Sequence, residues 1–153
     1  MTEADAAAPE TVTDLFGRDH RRLDALLADA KRALAAGEPA RATPLFTAFR
    51  EGLERHIVAE EEILFPAFEE LTGVTAGPTR VMCAEHVDIR KLLGEIASRL
   101  EQGSEGGYTT PLASLTALLY AHNGKEERIL YPATDRAASS AGTLEALVAK
   151  IVL

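Results

Sequence analysis

The two halves of this chain repeat one another at a constant offset of 66 residues. His20, His56 and Glu60 recur as His86, His122 and Glu126. The flanks follow: DHRRLDALL matches EHVDIRKLL, and HIVAEEEILFPA matches HNGKEERILYPA. Phe65 answers to Tyr131 and Pro66 to Pro132. A repeat of this length is one supersecondary unit that buries its apolar face only against a second copy. The fold must therefore bring two similar halves together.

The period inside each half is helical. Apolar or marked residues fall at Phe16, His20, Leu23, Leu27, Ala30 and Leu34, and then at Phe46, Phe49, Leu53, His56, Glu60 and Ile63. The second half gives Met82, His86, Ile89, Leu93, Ile96 and Leu100, then Leu112, Leu115, Leu119, His122, Glu126 and Ile129. Steps alternate between three and four residues, the spacing of a seam between packed helices. No stretch of useful length alternates with period two, so no strand is expected. The expected fold is all-α: an antiparallel up-down-up-down four-helix bundle closed by a short C-terminal helix.

Breakers set the expected boundaries. The first helix runs from about Thr11 to Ala36 and stops at Gly37. The second starts near Thr43, with Pro44 in the first helical position, and ends near Leu71 before GVTAGP. The third runs from Pro78 to about Gln102, before the loop GSEGG. The fourth opens at Thr110 and Pro111 and ends near Pro132; TDRAASSAG reads as a linker before a last helix from Thr143 to Leu153. In domain terms, residues 1–10 are expected to be a flexible N-terminus, 11–133 the bundle, and 134–153 linker and C-terminal helix. The apolar face of that last helix either covers the bundle or forms a homodimer contact.

The seam carries the chemistry. All four histidines of the protein lie in it, together with Glu60 and Glu126. Each glutamate follows a histidine by four residues, so each pair shares one helix face. A carboxylate in an apolar core is costly unless paired. Two His-Glu pairs and two further histidines in register are hard to explain as plain structural ion pairs, and a metal accepts all six donors directly. Structural zinc prefers a closed set of four ligands, often with cysteine. Six nitrogen and oxygen donors related by a repeat suit two iron ions, each held by two histidines, with Glu60 and Glu126 bridging them. Oxo, hydroxo or water would complete the ions. The ferritin-like alternative uses Glu-x-x-His, which this sequence lacks.

This order, His20, His56-x-x-x-Glu60, His86, His122-x-x-x-Glu126, resembles the hemerythrin-like cation-binding (HHE) domain over about residues 12 to 133. EEEILFP and EERILYP are similar to that family's continuation, and MCAEHVDIRKLL resembles the subgroup of di-iron proteins that repair iron-sulfur clusters. The resemblance implies a bundle with a carboxylate-bridged di-iron centre that binds oxygen, senses iron or oxygen, or responds to nitric oxide and peroxide. Oxygen carriers of the family add a fifth histidine in a His-x-x-x-His pair; here Met82 and Arg90 flank His86 at that spacing, which speaks against reversible oxygen transport. Residues 1–11 hold no counterpart of the cysteine-containing domain common in the repair proteins.

The functional reading at this stage is a di-iron protein that binds or senses oxygen, nitric oxide or peroxide. The alternatives are an enzyme that disproportionates peroxide or reduces nitric oxide, an iron store or donor, and a metal-free structural bundle. With 16 Lys and Arg against 24 Asp and Glu, the net charge of -8 disfavours nucleic acid and anionic membranes as partners. One cysteine excludes an intrachain disulfide and points to the cytoplasm. The first ten residues do not read as a signal peptide.

Lesser candidates surround the seam. Asp19 and Glu85 either accept imidazole N–H groups or are solvated charges. Glu61 and Glu127 point about 100° away from the bridging carboxylates and are expected at the surface or just behind the site, not on the metal. Cys83 is expected to be a small buried core residue. Tyr120 and Tyr131 are expected to pack rather than to ligate.

Overall fold

A computed structural model describes residues 8–103 and 107–153. The N-terminal segment expected to be flexible and the GSEGG loop therefore lie partly outside the described residues; Ala8, Pro9 and Glu10 are exposed and without regular structure. The protein is all-helical, with no strand among the described residues. The helices are α1 (Val12–Ala35), α2 (Pro39–Ala59), α3 (Phe65–Thr72), α4 (Pro78–Glu101), α5 (Thr109–Lys125), α6 (Tyr131–Ser140) and α7 (Leu144–Lys150). Two π-helical turns, Glu60–Leu64 and Glu126–Leu130, join α2 to α3 and α5 to α6. No helix among the described residues is long and apolar enough to cross a membrane.

α1 packs along α2, α4 along α5, and α2 against α4. Thr11 caps α1 reciprocally with Asp14, each side chain accepting from the other's backbone N–H. Gly37 takes φ +71° in the connection to α2, a left-handed value open to glycine. α2 begins at Pro39 rather than near Thr43. Pro39 occupies the first turn, where its missing N–H costs nothing, and Ala42 is buried by the added turn. Pro44 lies inside the helix.

The π-helical turns change the register that the seam implies. The Phe65 N–H donates to the Glu60 carbonyl and the Tyr131 N–H to the Glu126 carbonyl, each spanning five residues instead of four. One extra residue per turn rotates the following face by about 100°. Leu64 and Leu130 are therefore buried where Ile63 and Ile129 were expected; Ile129 is 59% exposed and Leu130 1%. Pro66 and Pro132 give the physical reason. Each lacks an N–H, and its ring would crowd the carbonyl four residues back, a strain that a wider turn relieves.

The chain does not become a linker after Pro132. It stays helical to Ser140, burying Thr134 and Ala138. Asp135 of α6 accepts from the backbone N–H of Val12 at 2.7 Å, that of Thr13 at 3.1 Å, and the Thr13 hydroxyl at 2.6 Å. These are free donors of the α1 N-terminus, so a segment of polar and small residues is fixed by capping a distant helix. The last helix is shorter than expected, and its Leu147 joins the chain's own core together with Ile151, just beyond it.

The apolar core is divided. One cluster contains Leu23, Leu27, Phe49, Leu53, Ile89, Leu93, Leu115 and Leu119. The other contains Phe16, Leu64, Phe65, Met82, Leu130, Tyr131 and Leu147. Along α1, His20 stands between Phe16 of one cluster and Leu23 of the other; along α4, His86 stands between Met82 and Ile89. A polar layer therefore crosses the protein between two apolar ones.

Candidate metal centre

That layer contains His20, His56, Glu60, His86, His122 and Glu126, none more than 3% exposed. α1 supplies His20, α2 His56, α4 His86 and α5 His122. Each glutamate is the first residue of a π-helical turn. The imidazoles pair across the halves' own helices: His20 with His56, ring centroids 4.6 Å apart, and His86 with His122, 4.9 Å apart.

Each glutamate faces one histidine from each pair. Glu60 Oε1 is 3.5 Å from Nε2 of His56 and 3.5 Å from Nε2 of His86. Glu126 Oε1 is 3.3 Å from Nε2 of His122 and 3.4 Å from Nε2 of His20. Two groups of donor atoms, each within 4.8 Å of one another, could hold a metal ion: Glu60, His86, His122 and Glu126, and His20, His56 and Glu126. Glu126 belongs to both.

The outer ring nitrogens are all held by carboxylates. His56 Nδ1 is 2.8 Å from Asp19 and His122 Nδ1 3.1 Å from Glu85. His20 Nδ1 is 2.8 Å from Glu127 and His86 Nδ1 2.9 Å from Glu61. An ionised carboxylate only accepts, so each Nδ1 carries the proton and each Nε2 presents its lone pair to the centre. This is the tautomer that a metal requires, fixed from behind. Asp19 and Glu85 are thus imidazole acceptors rather than solvated charges. Three of these carboxyls lie below their usual range. Burial alone would raise Asp19, but His56 and Arg22 outweigh it; Arg90 and His86 do the same for Glu61, and Lys125 and His122 for Glu85.

The centre itself is not satisfied. Glu60 Oε1, His86 Nε2 and both carboxylate oxygens of Glu126 are buried without a hydrogen-bond partner. Burial and the neighbouring Glu126 push the Glu60 carboxyl well above its usual range. Burial would do the same to Glu126, but the neighbouring Glu60 carboxyl and the imidazoles of His122 and His20 hold it well below. Without a cation the pair behaves as one acid and one carboxylate, because two adjacent buried charges repel. Orphaned lone pairs of imidazole and carboxylate, converging in one layer, fit a metal cation.

A family model for the hemerythrin HHE cation-binding domain matches residues 11–134. The chain belongs to the hemerythrin HHE cation-binding family. No curated protein and no solved structure gives a significant match. The matched span contains every helix that contributes to the polar layer.

Three further side chains fall differently from expectation or go beyond it. Cys83 is exposed, because α4 turns it away from the Met82 and His86 face. Tyr120 is 84% exposed rather than packed into the core. Tyr131 is fully buried, but it does more than pack: its hydroxyl donates to Glu60 Oε2 at 2.8 Å and stands 3.3 Å from His20 Nε2 and 3.4 Å from His56 Nε2. The sequence signal for it was the break in the repeat, Phe65 against Tyr131.

Proposed function

We propose that the six-residue layer holds two iron ions, one on His20 and His56, the other on His86 and His122, with Glu60 and Glu126 shared between them. The protein would use this centre to bind or sense oxygen, nitric oxide or peroxide during redox or nitrosative stress. The observation that carries the reading is the set of buried, unpartnered atoms at Glu60, His86 and Glu126. The donor set of imidazole and carboxylate without thiolate suits iron among abundant metals. Iron would supply one-electron redox steps and positions open to a small ligand; the chain would fix the imidazole tautomers and keep bulk water out.

Finer features rest on the same support. The short α1–α2 connection, and the packing of α1 on α2, α4 on α5 and α2 on α4, favour an up-down-up-down bundle. The run MCAEHVDIRKLL favours kinship with the cluster-repair subgroup, within which the centre would act as an iron donor. The lone, exposed thiol of Cys83 suits a reducing cytoplasm.

The test is element-resolved metal content of untagged protein made in iron-replete cells. About two irons per chain would support the reading. Zinc alone, or no metal, would overturn it. If iron is present, several equivalents of peroxide or nitric oxide consumed per site would mean an enzyme, and a stoichiometric response a binder or sensor.

A further inference from the structure

Among the four long helices the repeat halves face one another along two seams, α2–α4 and α1–α5, and only the first carries an ion-pair clamp. In the seam between α2 and α4, Arg90 reaches across to bond Glu54 at 2.8 Å and Glu61 at 2.9 Å. Its guanidinium thus lies outside the bond between Glu61 and His86. The 66-residue offset places Asp24, Tyr120 and Glu127 in the corresponding positions of the seam between α1 and α5. The arginine is replaced by a carboxylate and one of its partners by a tyrosine. The Arg90 clamp therefore has no counterpart at these positions, and Tyr120 projects into solvent.

The consequence is a cleft of about 550 Å³ between α1 and α5, lined in part by His20, Asp24, Leu27, Tyr120, Glu127 and Arg128. It reaches a histidine of the buried layer. Glu127, in its lining, differs from the other three carboxylates that hold the imidazoles. Asp19 is paired with Arg22 at 2.8 Å, Glu61 with Arg90 at 2.9 Å, and Glu85 with Lys125 at 2.6 Å. Among the described residues no lysine or arginine is paired with Glu127, although Arg21, Lys31 and Arg128 also line the cleft. Its side chain is the most exposed of the four, at 41%.

We propose that the α1–α5 cleft is the route by which a metal cation enters and leaves the buried layer, with Glu127 as the mobile carboxylate that passes it to His20 and Arg90 as the closure of the opposite seam. The inference rests on the metal-binding reading of the six-residue layer. Asp24 and Glu127 offer a hydrated divalent cation carboxylate oxygens in this cleft, against the charges of Arg21, Lys31 and Arg128, and Glu127 is bonded to His20. Glu127 is free to swing because a single hydrogen bond to His20 holds it, whereas the matching Glu61 is tied to an arginine as well.

The route is tested by anaerobic stopped-flow uptake of cobalt(II), followed by its visible absorption, into metal-free protein. Asp24→Arg combined with Tyr120→Glu copies the Arg90 clamp into the open seam. Ala28→Trp, in the wall of the same cleft, blocks it by bulk and serves as the second variant if the first does not fold. The expected result is uptake slowed by about tenfold or more with the same final cobalt content. Uptake within about twofold of the parent in a folded variant overturns the route and leaves the metal site standing. No uptake by the parent protein overturns the metal site and the route with it.

Discussion

The Tyr131 hydroxyl donates to Glu60 Oε2 at 2.8 Å, so the second half of the chain supplies a proton donor to the glutamate of the first. No reciprocal bond exists, because the matching residue is Phe65, which stacks on His86 with ring centroids 5.7 Å apart. The two sides of the layer are therefore chemically different: a hydroxyl beside His20 and His56, a hydrocarbon beside His86. Tyr131→Phe is expected to lower the stability of the metal-free protein by about 1–2 kcal/mol, since Glu60 Oε2 would lose its buried donor. Calorimetry should show the melting temperature falling by several degrees; an unchanged value would remove the hydroxyl from any supporting role.

The register shift in the π-helical turns separates two adjacent residues. Leu130→Ala is expected to cost about 2–5 kcal/mol, as for a fully buried leucine. Ile129→Ala should change stability by no more than about 0.5 kcal/mol, because that side chain faces solvent. Urea denaturation of the two variants measures the difference directly. Equal losses would mean that the helix passes Pro132 without the extra residue.

Glu126 belongs to both candidate metal groups, while His86 belongs to one. Glu126→Ala is expected to leave less than about one metal per chain, and His86→Ala about one. Metal analysis after dialysis at a fixed free-metal concentration distinguishes them. Equal loss in both would argue that the two positions fill only together.

Metal removal should destabilise the native protein. A cation at a hundred times its dissociation constant contributes about 2.7 kcal/mol to folding when it binds only the folded chain. Treatment with chelator is therefore expected to lower the melting temperature, and readdition of ferrous iron without oxygen to restore it. A melting temperature indifferent to chelator would mean that the six polar groups satisfy one another.

Asp135 ties the end of the chain to its beginning. Asp135→Ala is expected to cost about 1–2 kcal/mol, because it frees two backbone donors and a hydroxyl at the start of α1. Asp135→Asn should cost less, since the amide oxygen still accepts. Chemical denaturation of both reads the difference.

The grouping of His20, His56, Glu60, His86, His122 and Glu126 was legible in the sequence because helical period and repeat offset both pass through the same six positions. What supports them was only half legible. Asp19 and Glu85 differ in type, and Glu61 and Glu127 sit beside the glutamates of the layer, so nothing local distinguishes an imidazole acceptor from a surface charge. Each meets its histidine across a helix interface. Cys83 was misplaced because its three-residue distance from His86 does not set which side of α4 meets a neighbour.

The sequence by itself determined an all-helical chain, its division into two equivalent halves, and a polar layer at fixed heights along four helices. Those follow from spacing, which is a local property of the backbone. Tertiary structure alone decided that Leu130 and not Ile129 enters the core, that Asp135 caps α1, and that Tyr131 meets Glu60. It also decided that Arg90 pairs with Glu54 and Glu61 across one seam while a cleft lies at the other. Each of these depends on which side chains face one another across separate helices, and periodicity within one helix does not encode that.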